Sequence, residues 1–137
     1  MSQCYNDSHS WKQIVALLKT IKHCVKADRF FIAKNENRQE NMDFITRFNL
    51  RHKRQREILL EIEPDDFCHS LKNKNPGYEH EVLYVFCPQV KLFEFGSIEP
   101  SLVDIYIKLN LIDTDNGKRA IVISFHKRNR PIDYLFR

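Results

Sequence analysis

Residues 102–126 read LVDIYIKLNLIDTDNGKRAIVISFH, and their pattern decides the fold. From Leu102 to Ile112, the residues Val103, Ile105, Ile107, Leu109 and Leu111 alternate with Asp104, Tyr106, Lys108 and Asn110. Successive side chains of a strand point to opposite faces of its sheet, so this alternation predicts a strand with one buried face. Arg119 to His126 repeats the pattern, with Ile121, Ile123 and Phe125 on one side and Ala120, Val122, Ser124 and His126 on the other. Between them, Asp-Thr-Asp-Asn-Gly has the composition of a hairpin turn.

The apolar faces select the register. A two-residue Asn116-Gly117 loop would set apolar positions of one strand against polar positions of the other. A three-residue loop, Asp115-Asn116-Gly117, with Gly117 left-handed beside a bulge, pairs Ile107 with Phe125, Leu109 with Ile123 and Leu111 with Ile121. A slip of one residue would turn a whole strand over. This register also sets Tyr106 opposite His126, Lys108 opposite Ser124 and Asp104 opposite Arg128. Facing Cβ atoms are then about 5 Å apart.

Upstream, the period changes. Trp11, Ile14, Val15, Leu18, Ile21 and Val25 recur at helical spacing over residues 11–26, behind a Ser10/Gln13 capping box. Residues 29–33, RFFIA, predict a short strand. Asn35 to Asn37 would cap a helix running to about Phe48, with Met42, Ile45 and Phe48 inward. A further helix over 53–62 would bury Ile58, Leu59 and Ile62, and Pro64-Asp65-Asp66 would start a turn or helix at residues 67–71. Residues 81–87, EVLYVFC, predict an interior strand, and Lys91 to Phe95 a short one. Helices first and strands afterwards imply an α+β fold, with N-terminal helices packed on a small, mainly antiparallel twisted β-sheet.

Length and composition narrow the function classes. A chain of 137 residues, 42% apolar and 12% aromatic, makes one domain with a real core, and three Gly with five Pro exclude low-complexity architectures. No run approaches the roughly 18 apolar residues of a membrane span. The start, MSQCYNDSHS, lacks the basic-then-apolar pattern of a secretory signal, so a cytoplasmic protein without membrane contact is expected. Cys4, Cys24, Cys68 and Cys87 are dispersed, as reduced thiols are. His23-Cys24 and Cys68-His69 are adjacent pairs and not the spaced clusters of a zinc site, so neither metal nor cofactor is expected.

The net charge of +4 is modest, but it is unevenly spread. Residues 8–27 carry Lys12, Lys19, Lys22 and Lys26 with no acid; residues 47–56 carry Arg47, Arg51, Lys53, Arg54 and Arg56 with none. The last 21 residues carry Lys118, Arg119, Lys127, Arg128, Arg130 and Arg137 against Asp133 alone. Converged on one surface, they would be the footprint of a nucleic-acid partner; kept apart, they are three solvated faces.

A Tyr, a His and a Lys on one sheet face, close to a basic C-terminal segment, suit metal-free cleavage of RNA. There the 2′-hydroxyl attacks its own phosphodiester, and the reaction needs a base, an acid and a cation. Histidine serves as base or acid near neutral pH, Tyr donates to phosphoryl or leaving-group oxygen, and Lys or Arg offsets developing charge. The plainer alternative is a polar outer face with no chemistry.

At these residues a family likeness emerges. Leu60…Asp65-Asp66-Phe67-Cys68-His69-Ser70, then Val103-Asp104-Ile105-Tyr106-Ile107-Lys108-Leu109, then Val122-Ile123-Ser124-Phe125-His126 with the tail Pro131 and Tyr134 to Phe136, occur in order. Over roughly residues 28–137 the chain resembles the motility quorum-sensing regulator (MqsR) family of bacterial toxins. The resemblance implies a compact RelE-like toxin fold, with residues 1–27 as an N-terminal helical extension. It also implies a type II toxin: an endoribonuclease (mRNA interferase) acting on mRNA and neutralised by a cognate antitoxin, with which it could form a hetero-oligomer. The family's Tyr in Val-Tyr-Leu-Lys falls on Tyr106. The Lys closing Val-Ser-Phe-Lys falls on His126, and the Lys after Asp-Phe-Tyr on His69, so two lysines are histidines here. A family Gln has no counterpart; the nearest position is Leu83.

Together these readings nominate His126, Tyr106, His69 and Lys108 as catalytic, and Arg128, Ser124, Lys127, Arg130 and Arg54 as RNA-binding. The other readings are a non-catalytic module that holds nucleic acid or an acidic partner, and a ribosome-dependent RelE-like nuclease.

Overall fold

The computed structural model describes residues 7–34 and 38–137. It places helix α1 at Trp11–Lys26, strand β1 at Phe30–Ile32, helices α2 at Gln39–Arg47 and α3 at His52–Leu60, and a 3-10 turn at Pro64–Asp66. Strands β2 (Phe67–Lys72), β3 (Val82–Phe86), β4 (Gln89–Phe93), β5 (Pro100–Thr114) and β6 (Gly117–Lys127) follow. This is an α+β fold with a twisted sheet. The strand order is β1-β6-β5-β3-β2, all neighbours antiparallel except β1 beside β6, and β4 pairs with the start of β5. Phe86 faces Ile107 and Gln89 faces Asp104 in one continuous register, so β3 and β4 are a single line along β5 broken at Cys87-Pro88. Pro88 has no N–H to donate, but its carbonyl accepts from the Ile105 amide at 2.9 Å.

The helices cover one sheet face. Ile14, Leu18, Ile21 and Val25 of α1, Phe44 of α2 and Ile58 and Leu59 of α3 pack with Ile105, Ile107, Leu109, Val122 and Phe125 in one core. Although α1 lies outside the stretch that carries the family likeness, it is built into this core. Ser10 and Gln13 form the expected capping box. The edges of the α1 stripe are open, with Trp11 and Val15 exposed; the Trp11 ring lies edge-on to Phe136 at 5.2 Å.

Three local expectations are corrected. In α2 the buried residues are Asn41 and Phe44, with Ile45 packed against the core and Phe48 buried just past the helix end as expected, while Met42 is exposed; the expected cap at Asn35 to Asn37 lies outside the described residues. Residues 67–72 form a strand and not a turn or helix, because β3 offers them an open edge and pairs with Phe67 and with His69 to Lys72, around an irregularity at Cys68. The hairpin turn is a two-residue loop, Asp115-Asn116, between the paired Thr114 and Gly117. Gly117 does take a positive φ, 105°, but the bulge sits at Ile123, between the pairs Leu109–Val122 and Lys108–Ser124. Ala120 and Val122, and not Ile121 and Ile123, therefore join Phe125 in the core. Beyond the bulge the expected pairs hold: Ile107 with Phe125, Lys108 with Ser124 and Tyr106 with His126.

The other sheet face is crossed by the C-terminal tail. Ile132 and Tyr134 pack on Cys68, Val85 and Cys87. The Tyr134 hydroxyl donates to the Cys87 carbonyl at 2.6 Å, the Leu135 amide to the Phe67 carbonyl at 3.1 Å, and Arg137 reaches Asp66 at 2.8 Å. Most of the first two basic stretches lies on α1 and α3, which pack together on the helical side, whereas Arg128 and Arg130 of the third line the opposite face. Arg47, at the end of α2, meets Lys127 on the β6 flank between them. Among the described residues no helix is long and apolar enough to cross a membrane.

Candidate active site

Cross-strand pairing assembles the site in rows. His69 on β2 faces Val85 on β3, Val85 faces Lys108 on β5, and Lys108 faces Ser124 on β6. One step along, Tyr106 faces His126. Facing residues share a side of the sheet, so His69, Lys108, Ser124, Tyr106 and His126 all lie on the face away from the helices. The tail then walls this row. A cleft of about 400 Å³ is lined by His69, Tyr106, His126, Arg128, Asn129, Arg130, Pro131 and Ile132.

Within it the Tyr106 and His126 rings stack, centroids 5.6 Å apart and planes inclined by 26°. Only 13% of the His126 side chain is exposed. Its Nδ1 lies 2.9 Å from the Lys127 carbonyl, an acceptor that can be met only by an N–H. This contact assigns the proton to Nδ1 and leaves Nε2 as the basic nitrogen of the neutral ring. Nε2 is 4.0 Å from a carboxylate oxygen of Glu40, at the start of α2. The other Glu40 oxygen accepts from Asn129 at 2.6 Å.

Burial sets the electrostatics. It pushes the His69 imidazole below its ordinary 6.5, with the Lys108 charge acting the same way and Asp7 opposing. It raises the Tyr106 phenol above its ordinary 10.0, as do Cys68 and Cys87 nearby, so Tyr106 stays a donor. The Lys108 ammonium is pushed down from 10.5 by burial and by Arg38. Arg128 is partly engaged: its guanidinium pairs with Asp104 at 3.3 Å and donates to the Arg130 carbonyl at 3.3 Å. The expected Asp104–Arg128 juxtaposition is thus present, and the Arg128 amide also donates to the Asp104 carbonyl at 2.9 Å.

The remaining nominated residues divide. Ser124 is buried beside Lys108, beneath the surface a ligand would meet. Lys127 lies on the β6 flank with Asp43 and Arg47. Arg54 is not part of this face: it sits on α3 and pairs with Glu57 at 3.2 Å and Glu61 at 3.4 Å. Sequence reading missed Glu40, Asn41 and Asn129. Only Asn41 left a signal, as a polar residue one turn ahead of Phe44 and Ile45 on the buried side of α2. Among the described residues no group of three or more His, Cys, Asp or Glu could hold a metal ion. In comparison with known proteins, no family model matches the chain, no curated protein matches it, and no solved structure matches its fold.

Proposed function

We propose that the chain is a type II toxin of the MqsR kind, an mRNA endoribonuclease working in the cytoplasm without a metal and restrained by a cognate antitoxin. The reading is supported above all by the stacked Tyr106–His126 pair, set in a cleft that also holds His69, Arg128 and Arg130. In the reaction, the 2′-oxygen forms a bond to phosphorus as the bond from phosphorus to the 5′-oxygen breaks. The products are a 2′,3′-cyclic phosphate and a 5′-hydroxyl. Nε2 of His126 takes the 2′-hydroxyl proton, and the Tyr106 hydroxyl donates to a non-bridging oxygen as charge grows there. His69, across the cleft, gives a proton to the leaving oxygen from its imidazolium form, which its lowered pKa makes the minor form near neutral pH. Lys108 and Arg130 supply positive charge to the pentacoordinate phosphorus.

The test uses the purified chain on a mixed, ribosome-free RNA in excess EDTA, with end-group analysis of the fragments. Cleavage to cyclic-phosphate ends that is lost in a His126→Ala, Tyr106→Phe double variant supports the proposal. Undiminished cleavage by that variant rejects it. Intact RNA held in a stable complex would point instead to a binding module.

A further inference from the structure

Strand β6 carries one residue more than its ladder needs. On the turn side of Ile123, Leu109 faces Val122; on the far side, Lys108 faces Ser124. Continued past Val122 with Ile123 paired and no bulge, the turn-side register would set Phe125 opposite Tyr106 and send His126 into the core beneath the helices. The bulge at Ile123 is what brings the imidazole to the cleft.

A bulge leaves backbone groups outside the ladder, and buried ones must find partners elsewhere. Pairing of β1 with β6 ends at Ile32 and Val122, followed by a single bond from the Ala33 amide to the Val122 carbonyl at 2.8 Å. The Ile123 carbonyl and the Phe125 amide are taken by Asn41. Its Nδ2 donates to the Ile123 and Ala33 carbonyls at 2.9 Å each, and its Oδ1 accepts from the Phe125 amide at 2.8 Å. Asn41 is 1% exposed. A carboxylate of the same size would offer no donor to the two carbonyls, and Leu would offer neither donor nor acceptor.

We infer that Asn41 is a positioning residue: it clamps the bulge of β6 and thereby holds His126 opposite Tyr106. The inference rests on the proposed catalytic use of that pair, yet the placement of the rings is readable without RNA.

Deleting Ile123 gives the decisive background. Ser124 then follows Val122 directly, falls opposite Lys108, and leaves Phe125 facing Ile107 and His126 facing Tyr106 in an unbroken ladder. Asn41 should therefore set the placement of the rings when Ile123 is present and not when it is deleted, where its bonds to the Ala33 carbonyl and the Phe125 amide support the fold alone. The readout is the nuclear Overhauser contact between the Tyr106 and His126 ring protons, with kcat and KM for RNA cleavage measured in parallel. Asn41→Leu is expected to lose the ring contact and about 100-fold in kcat, the scale of a small misplacement of reacting groups, with KM little changed. Combining Asn41→Leu with the Ile123 deletion should restore both. A ring contact that survives Asn41→Leu, or fails to return in the combined variant, overturns the inference. Should Asn41→Leu not fold, the combined variant decides. Folded with the ring contact, it supports the clamp; unfolded, it makes Asn41 an ordinary core residue. Absence of cleavage by the unaltered chain, with the ring contacts behaving as expected, would refute the catalytic reading and leave the clamp in place.

Discussion

The Tyr106 hydroxyphenyl ring and the His126 imidazole lie nearly parallel at 5.6 Å, one strand apart. The contact does two things at once. It screens the imidazole from water on one side, and it puts a phenol and an imidazole in the same cleft. Substituting Phe for Tyr106 keeps the stacking and removes only the hydroxyl, whereas His126→Ala removes the base. The expected order is therefore graded. His126→Ala should lower kcat by about 10²- to 10⁴-fold, the usual contribution of general acid–base catalysis, and Tyr106→Phe should cost less. Both should bind RNA with an affinity close to that of the unaltered chain, as measured by fluorescence anisotropy on a non-cleavable 2′-deoxy oligonucleotide.

His69 makes stability depend on pH. Burial and the Lys108 charge hold its folded-state pKa below 6.5, so the unfolded chain takes up a proton more readily than the folded one. The sign follows: as pH falls through about 6.5, protonation favours the unfolded state and stability drops. Urea midpoints at pH 7.5 and 5.5 should show this decline. In His69→Gln the gap between the two midpoints should narrow, and a gap that stays the same would assign the pH dependence to other groups.

The hairpin was legible in the sequence, because the alternation from Val103 to Leu111 is a property of the strand alone. Its register was legible only in part. The pairs nearest the site, Tyr106–His126 and Lys108–Ser124, follow from matching apolar faces, but the position of the extra residue does not. A bulge beside Gly117 and a bulge at Ile123 give the same pairing beyond Lys108. What selects Ile123 is Asn41, far away in sequence, through hydrogen bonds that no local pattern records. The same limit hid residues 67–72: FCHSLK has no strong period, and it becomes a strand because β3 presents an unpaired edge. The cleft wall at Asn129 to Ile132 was invisible for a similar reason, since the tail is placed by Tyr134 and Arg137 at distant anchors.

The tail anchor at Tyr134 seals two thiols. Cys68 and Cys87 are buried under Ile132 and Tyr134, and burial pushes the Cys68 thiol up to about 12 and raises that of Cys87. Neither should react with an alkylating reagent at pH 8 while the protein is folded, since the thiolate is the reactive form. Tyr134→Phe removes the hydrogen bond to the Cys87 carbonyl and is expected to cost about 1 kcal/mol in urea unfolding. Tyr134→Ala also uncovers the cluster, and mass spectrometry should then find Cys68 and Cys87 labelled well before global unfolding.

Arg130 and Arg54 separate the two basic surfaces. Arg130 lines the cleft and its guanidinium faces no carboxylate in an ion pair among the described residues, while Arg54 lies on α3 between Glu57 and Glu61. A phosphate bound in the cleft would meet the first and not the second. Each cation that neutralises a phosphate releases condensed counterions, so its removal lowers affinity and flattens the salt dependence. Arg130→Ala should weaken binding of the 2′-deoxy oligonucleotide and reduce the slope of log affinity against log salt by about 1. Arg54→Ala should leave both unchanged. The reverse result would move the nucleic-acid surface to the helical side, where α1 and α3 gather most of the other two basic stretches, and would leave the Tyr106–His126 cleft without a polyanion to act on.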